Sequence, residues 1–374
     1  VGNQNVDVDK LPPSILFEHM NSIIRKPTRQ IRLGKLLIGG GAPISIQSML
    51  SVPTSDVPAC LAQLKELELA GCEIVRLSVT NLEDAKALSI YKERTSMPIV
   101  ADIHFDYKLA LAALDNHVDG LRLNPGNIGA RENVEAVVKA TAKRDIPIRI
   151  GVNSGSLPKD LLAERGLCAF SMVEAALRHV RILEELDYHN IKISVKASHL
   201  PLMVESYRLL SSEVDYPLHL GITEAGTLVS GTVKSSMALA LLLYEGIGDT
   251  LRVSLSADPV QEVKVALEIL KGLQLRQGLN IISCPTCGRT RINLFELVNK
   301  VEKALAPYRD KNLTVAVMGC AVNGPGEARE ADFGIAGGDG EGLLFAKGEI
   351  IKKVKEEHLV EELLELVKQH KDSI

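Results

Sequence analysis

Gly120-Leu-Arg-Leu-Asn-Pro125 is a short apolar run carrying two polar side chains two residues apart. In a strand that spacing puts Arg122 and Asn124 on one face of the pleat. Outward from it, between about residues 43 and 273, the chain repeats the design. The other runs are Pro43–Leu50, Glu73–Val79, Pro98–His104, Ile146–Asn153, Ile191–Ser198, Leu218–Glu224 and Thr250–Ser256. Between them lie helical patterns such as Val57–Ala70, Asn133–Lys143, Met172–Leu186 and Val260–Leu270. Strands alternating with helices imply a parallel sheet, and eight such units over this length imply a closed (β/α)8 TIM barrel. An open doubly wound sheet would show fewer units and a Gly-rich fingerprint after its first strand. Ser51-Val-Pro-Thr-Ser-Asp56 stands there instead.

The ends of these runs are polar. Arg76 and Ser78 close the second, Asp102 and His104 the third, Arg122 and Asn124 the fourth, and Arg149 and Asn153 the fifth. Lys196 and Ser198 close the sixth, Glu224 the seventh, Arg252 and Ser254 the eighth. C-terminal strand ends of such a barrel converge on its active-site mouth. Five strands therefore deliver a cation to one small cavity, where Asp102 and Glu224 are the obvious acidic partners. Buried cations need counter-charge. The surplus asks for an anionic ligand, and a diphosphate suits Arg forks best. His104, two residues beyond Asp102, is placed as a polar contact or proton donor.

Composition bounds the rest. A chain of 374 residues exceeds what one hydrophobic core covers, so two domains are expected. We read residues 1–29 as an N-terminal extension, 30–273 as the barrel and 274–374 as a small α+β domain. Although 46% of residues are hydrophobic, no stretch is apolar for long enough to span a membrane, and Val1 to Arg29 lacks a signal core. A net charge of −4, 3% aromatics and no Trp leave nucleic-acid binding without support. Six unevenly spaced Cys suit a reducing cytoplasm better than a disulfide scaffold.

The second domain concentrates the soft ligands. Cys284-Pro-Thr-Cys287 follows a strand, and Cys320 follows the apolar run Thr314–Met318. Three clustered thiols without a disulfide pattern suggest a metal or an iron–sulfur cluster. The fourth ligand is open, because no other Cys lies beyond residue 168. Turns at Asn323-Gly-Pro-Gly326 could fold Glu327 back toward the thiols. The competing reading is a structural zinc clip, although a zinc ribbon usually pairs two Cys-x-x-Cys units. Cys60, Cys72 and Cys168 read as ordinary buried or half-buried thiols. Gly337-Gly-Asp-Gly-Glu-Gly342 lacks the Lys-Ser/Thr of a P-loop and reads as a hairpin turn.

Ala101-Asp-Ile-His-Phe-Asp-Tyr107, Arg122-Leu-Asn-Pro-Gly-Asn-Ile-Gly129, Arg149-Ile-Gly-Val-Asn153, Ser194-Val-Lys-Ala-Ser198, His219-Leu-Gly-Ile-Thr-Glu-Ala-Gly226 and Gly248-Asp-Thr-Leu-Arg-Val-Ser254 resemble barrel motifs of one family. Cys284-Pro-Thr-Cys287 and Gly319-Cys-Ala-Val-Asn-Gly-Pro-Gly-Glu327 resemble its cluster motifs. That family is the (E)-4-hydroxy-3-methylbut-2-enyl diphosphate synthases of non-mevalonate isoprenoid biosynthesis, in the short bacterial type. The resemblance runs from about Thr28 to near the C-terminus. It implies reductive ring opening and dehydration of 2-C-methyl-D-erythritol 2,4-cyclodiphosphate. It implies one 4Fe-4S cluster per subunit on Cys284, Cys287, Cys320 and Glu327, and a reduced flavodoxin or ferredoxin as donor. It also implies a homodimer in which one subunit's cluster domain caps the other's barrel. The positions matching its diphosphate site are Arg76, Arg122, Asn124, Arg149, Asn153, Lys196, Arg252 and Ser254, with Asp102, His104 and Glu224 at the reacting end. The rival class is a non-redox lyase or transferase on a phosphorylated substrate, with zinc as a structural clip.

Overall fold

The computed structural model describes residues 23–320, 326 and 328–370. The chain divides into two compact units, one ending at Leu275 and the other beginning at Arg276.

The first unit is the barrel. A short hairpin comes first, β1 (Ile31–Leu33) and β2 (Leu36–Ile38). The eight barrel strands are β3 (Ser45–Met49), β4 (Ile74–Ser78), β5 (Ile99–Asp102), β6 (Gly120–Arg122), β7 (Ile148–Asn153), β8 (Ile191–Lys196), β9 (His219–Leu220) and β10 (Thr250–Leu251). All pair in parallel in the order β8-β7-β6-β5-β4-β3-β10-β9. A bridge between Ile193 and Leu218 brings β8 to the foot of β9 and closes the ring. All eight expected runs are present, but β9 and β10 are two residues each. Glu224, Arg252 and Ser254 therefore stand on loops past their strands, as do His104, Asn124 and Ser198.

The connecting helices are α1 (Val57–Ala70), α2 (Leu82–Lys92), α3 (Tyr107–Asp115), α4 (Arg131–Ala142), α5 (Lys159–Arg165), α6 (Ala169–Glu184), α7 (Leu200–Glu213), α8 (Leu228–Tyr244) and α9 (Pro259–Gly272). Several start where a side chain accepts orphan N–H groups. Asp56 takes that of Ala59, Asn81 those of Glu83 and Asp84, and Asp258 that of Val260. The main core lies between the strands and these helices and includes Ile99, Leu121, Ile150 and Val195. No described helix is long and apolar enough to cross a membrane.

The barrel interior departs from the usual fill of Val, Ile and Leu. Only its foot is apolar, where Ile31, Leu33 and Ile38 of the hairpin pack against Ile74 and Val100. Above that plug Ser45, Gln47, Arg149, Lys192, Ser194, Lys196, His219 and Thr250 are all buried.

The second unit is a five-stranded sheet, β11 (Leu279–Ser283), β12 (Leu313–Met318), β13 (Phe333–Gly337), β14 (Glu341–Ala346) and β15 (Glu349–Lys355), in that order. Helices α10 (Leu294–Leu305) and α11 (Leu359–Gln369) share its apolar core with Val315, Ile335 and Leu344. The glycine-rich stretch is the β13–β14 hairpin, with Gly337 opposite Gly342. The link between the units is short, because α9 runs through Gly272 and β11 begins at Leu279. Asn323-Gly-Pro and Glu327 lie outside the described residues.

Leu33→Ala tests the plug. Leu33 is buried, and its methyl sits 2.6 Å from where a Cβ on Gly120 would stand. The cavity left should cost about 2–5 kcal/mol, read as a lower denaturation midpoint. An unchanged midpoint would show that the hairpin does not plug the barrel.

Candidate functional site

At the C-terminal end of the barrel a cavity of about 150 Å³ is lined by Arg76, Asp102, His104, Arg122, Arg149, Gly151, Asn153, Ser194, Lys196, Thr223, Arg252 and Ser254. Strands four to eight and ten supply most of these side chains from their inner faces, at or just past their C-terminal ends. Nine of the eleven barrel residues anticipated from sequence therefore meet in one place. Asn124 and Glu224 do not line it. The Asn124 amide accepts from Gly151 N at 2.9 Å and donates to Gly151 O at 3.0 Å, so it clamps β7. Glu224 is exposed on the loop after β9, with a left-handed φ of 53°.

The cations are held by few carboxylates. Asp102 Oδ1 lies 3.2 Å from Arg122 Nη1, and Asp102 Oδ2 lies 3.6 Å from Arg76 Nε. Burial pushes the Asp102 carboxyl up, but Arg76, Arg122, Arg149 and His104 outweigh it and hold it below its ordinary value. Arg76 also donates to the Met49 sulfur at 2.9 and 3.2 Å. Arg149 donates through Nη1 to Ser194 Oγ at 3.1 Å, while its Nε and Nη2 are buried without a described partner. Lys196 Nζ sits 3.4 Å from His219 Nε2, and His219 Nδ1 lies 2.7 Å from Thr250 Oγ1.

Arg252 has a partner the sequence reading overlooked. Glu262 on α9 is buried and meets Arg252 side-on, with both contacts at 3.1 Å. It also accepts from Ser48 Oγ and Leu255 N. The counter-charges at the mouth are thus Asp102 and Glu262, not Asp102 and Glu224. The signal was present: Pro259, Glu262, Val263, Ala266 and Ile269 form the buried stripe of α9, and a carboxylate on such a stripe needs a cation. Lys192 and His219 were missed because they lie below the strand ends, and Met49, at the end of β3, because it carries no charge, yet the period of two marks Lys192. Lys192, Ser194 and Lys196 share one face of β8.

Two glycines leave room for this crowd. A Cβ on Gly151 would stand 2.8 Å from Arg122 Nε, and one on Gly221 would stand 2.8 Å from Lys196 Nζ. Five cations, two of them buried and three half-buried, against two carboxylates leave a surplus of positive charge at the mouth. Burial first, then the neighbouring cations, push Arg149 and Lys196 well below their ordinary values, and Arg76 is lowered to about 10. Arg keeps its proton nonetheless. An anion would offset that surplus, and the narrow polar cavity is lined by groups that can donate to one.

In the second unit Cys284 and Cys320 follow the adjacent parallel strands β11 and β12 at the same sheet edge. The Gly319 N–H donates to Cys284 Sγ at 3.1 Å, as backbone amides do toward thiolate ligands. Cys287 is exposed, and Thr290 folds its loop by exchanging hydrogen bonds with it. The backbone N–H and guanidinium of Arg289 pull the Cys287 thiol below its ordinary value. Soft donors on one edge with N–H groups aimed at sulfur fit a cluster's chemistry. No three Cys, His, Asp or Glu side chains among the described residues are close enough to share a metal ion, and Glu327 is outside them. Cys60 and Cys72 are buried in the barrel unit, where burial raises both thiols, Cys72 to about 12. Cys168 is half-buried at the N-terminus of α6.

Residues 28–267 match the family model described as the GcpE TIM-barrel domain, and residues 280–369 match the GcpE protein C-terminal domain. The chain is 57% identical to the 4-hydroxy-3-methylbut-2-en-1-yl diphosphate synthase (flavodoxin) of Clostridium perfringens, over 92% of this chain and 99% of the relative. It is 60% identical to the enzyme of the same name from Geobacter sulfurreducens, over 91% of this chain and 97% of the relative. These names give no support to a non-redox lyase or transferase. A solved HPPK-DHPS variant of Plasmodium falciparum with pterin and p-hydrobenzoate is similar in fold alone. It is 13% identical with a TM-score of 0.50, over 66% of this chain and 51% of that one.

The Arg252–Glu262 pair can be tested by a double-mutant cycle. Glu262→Leu strands a buried guanidinium and should cost about 3–5 kcal/mol in unfolding free energy. Arg252→Met on top of it should recover most of that loss. Additive losses would mean that Glu262 is not the counter-charge.

Proposed function

The chain belongs to the GcpE family, and from that premise we propose that it is a 4-hydroxy-3-methylbut-2-en-1-yl diphosphate synthase that draws its electrons from a reduced flavodoxin. The reaction would be the reductive opening and dehydration of 2-C-methyl-D-erythritol 2,4-cyclodiphosphate. The observation that carries this reading is the small cavity lined by five cations, two buried and three half-buried, which only Asp102 and, behind Arg252, Glu262 offset among the described residues.

Arg76, Arg122, Arg149, Lys196 and Arg252 would grip the diphosphate, with Asn153 and Ser254 completing its hydrogen bonds. Their charge would also stabilise the phosphate oxygen released as the ring opens, since they are already oriented and desolvated. Asp102 would hold Arg76 and Arg122 in place and Glu262 would hold Arg252, leaving Arg149 and Lys196 without a carboxylate for the substrate to meet. His104 stands at the cavity and Glu224 on the loop beyond β9, so each is assigned as a candidate proton donor to the departing hydroxyl. Cys284, Cys287, Cys320 and Glu327 would hold one 4Fe-4S cluster. When bound, the cluster would supply single electrons and, at the carboxylate-held iron, an exchangeable site for a substrate oxygen.

A homodimer is part of the proposal. On α8 the side chains of Val229, Val233, Met237 and Tyr244 follow helical spacing and are 76%, 53%, 54% and 70% exposed. An apolar stripe of that kind suits a self-complementary contact with a second copy.

Arg122→Ala should raise the KM for the cyclic diphosphate by about one to two decades and leave iron content unchanged, because a charge-assisted phosphate contact is worth roughly 1.5–3 kcal/mol. An unchanged KM would make the cation structural. Cys284→Ala, Cys287→Ala and Cys320→Ala should each lose iron, whereas Cys60→Ala and Cys168→Ala should keep it. Glu327→Cys should keep a cluster but lose most turnover, and parent-like turnover would refute the exchangeable iron. Sedimentation of Met237→Asp should show monomers, and a persistent dimer would place the contact elsewhere.

A further inference from the structure

Below the mouth, the barrel holds a second group of polar side chains that the reaction does not use. Lys192 is 3% exposed, and its ammonium has no described hydrogen-bond partner. Both amide atoms of buried Gln47 also lack one. Lys192 lies on β8 four residues below Lys196, on the same inner face, and pairs in register with Arg149 of β7. An ammonium in such a place normally has a carboxylate beside it.

The groups around the two lysines explain why none is free. Around Lys192 stand Arg149 on β7, His219 on β9 and Asp249 at the foot of β10. Asp249 is already engaged: Arg25 Nη2 is 2.8 Å from its Oδ1, Thr28 Oγ1 donates to the same oxygen, and Leu218 N donates to Oδ2. No contact of 4 Å or less joins it to Lys192. Around Lys196 stand Arg149, Arg76 on β4, Arg252 after β10, Glu262 on α9 and His219. Glu262 is taken by Arg252. Tyr207 on α7 closes the back, its hydroxyl donating to His219 O at 2.6 Å. The arginines cannot give up protons, so an excess of buried positive charge must be shed by the amines.

We propose that the buried, unanswered Lys192 amine lacks its proton in much of the free enzyme, and that capture of the diphosphate at the mouth draws that proton in. The proton comes from solvent and ends on an amine nitrogen, with no other bond made or broken. The proposal rests on the diphosphate reading of the mouth. It makes Lys192 a positioning residue: it never touches the ligand, yet it sets how much positive charge the mouth displays. Burial, followed by Arg149, lowers the Lys192 ammonium to about 7, and Lys196 is pushed down by burial and then by Arg149, Arg76 and Arg252. The sign follows. Both groups bind protons less tightly in the free enzyme than in solution, and an anion restores that affinity. Affinity for the anion should therefore fall as pH rises above about 7, by up to tenfold per pH unit for one coupled proton.

The test is calorimetric titration of the holoenzyme, with its cluster oxidised and no reductant present, by the cyclic diphosphate at pH 8 in buffers of different ionisation heat. In the ring each phosphorus carries one strongly acidic oxygen, so the ligand itself does not titrate there. The parent should take up about one proton per ring bound. Lys192→Met should bind the ring and lose at least half of that uptake. If Lys192 is the acceptor, it is gone. Lys192→Gln replaces the Met variant if that one does not fold. Binding without proton uptake in the parent overturns the proposal and leaves the diphosphate site standing. Undiminished uptake in the Lys192 variant overturns it too, and would point to a rim group such as His104. A parent that does not bind the ring at all refutes the functional reading itself.

Discussion

Like charges forced together in a confined, largely buried space govern this barrel. Arg76, Arg122, Arg149, Lys196 and Arg252 enter one ring of strands, and only Asp102 and Glu262 answer them. Such a cluster is costly to bury, and the fold spreads the cost. Met49 offers a polarisable sulfur to Arg76 where another carboxylate would cancel charge meant for a ligand. Gly151 and Gly221 give up their side chains so that Arg122 and Lys196 can lie flat against the strands. Asn124 ties β7 to the loop after β6 by two hydrogen bonds to one residue. The site is preorganised because each cation is fixed by neighbours that neutralise it only in part.

The same constraint explains the stability of the rest of the unit. With polar groups filling the barrel axis, apolar packing is confined to the hairpin plug below and the helix shell outside. The plug keeps water from entering the charged interior from beneath, where exposure would lower the field that attracts an anion. At the foot of β10, Asp249 ties the N-terminal segment to the barrel through Arg25 and Thr28. A carboxylate that could have quieted Lys192 is spent on closing the bottom.

The second unit uses a different economy. Its helices and five-stranded sheet bury an ordinary apolar core, and Cys284, Cys287 and Cys320 stand in the loops after β11 and β12. Parallel neighbours deliver their C-terminal loops to one edge, so Cys284 and Cys320 arrive near each other although 36 positions separate them. The Gly319 N–H donates to the Cys284 sulfur and fixes where it stands beside β12.

Much was legible from the chain alone. Eight runs with period-two polar ends specify a parallel barrel and name the side chains that enter its mouth, because strand geometry assigns alternate residues to one face whatever their partners. Cys-x-x-Cys and a third Cys after a strand likewise need no coordinates to be seen together. What tertiary structure alone decided is which charges are answered and which are not. Glu262 comes from the barrel's last helix, meets Arg252 where the chain turns from β10 into α9, and is reached there by Ser48 of β3. Glu224 ends on an exposed loop because β9 is only two residues long, and Asn124 turns to Gly151. Lys192 looks in sequence like any polar residue in a strand, and becomes an unanswered buried charge only once Arg25 and Thr28 have claimed Asp249. Periodicity is a property of neighbours along the chain, whereas electrostatic balance sums over everything within a few ångströms in space.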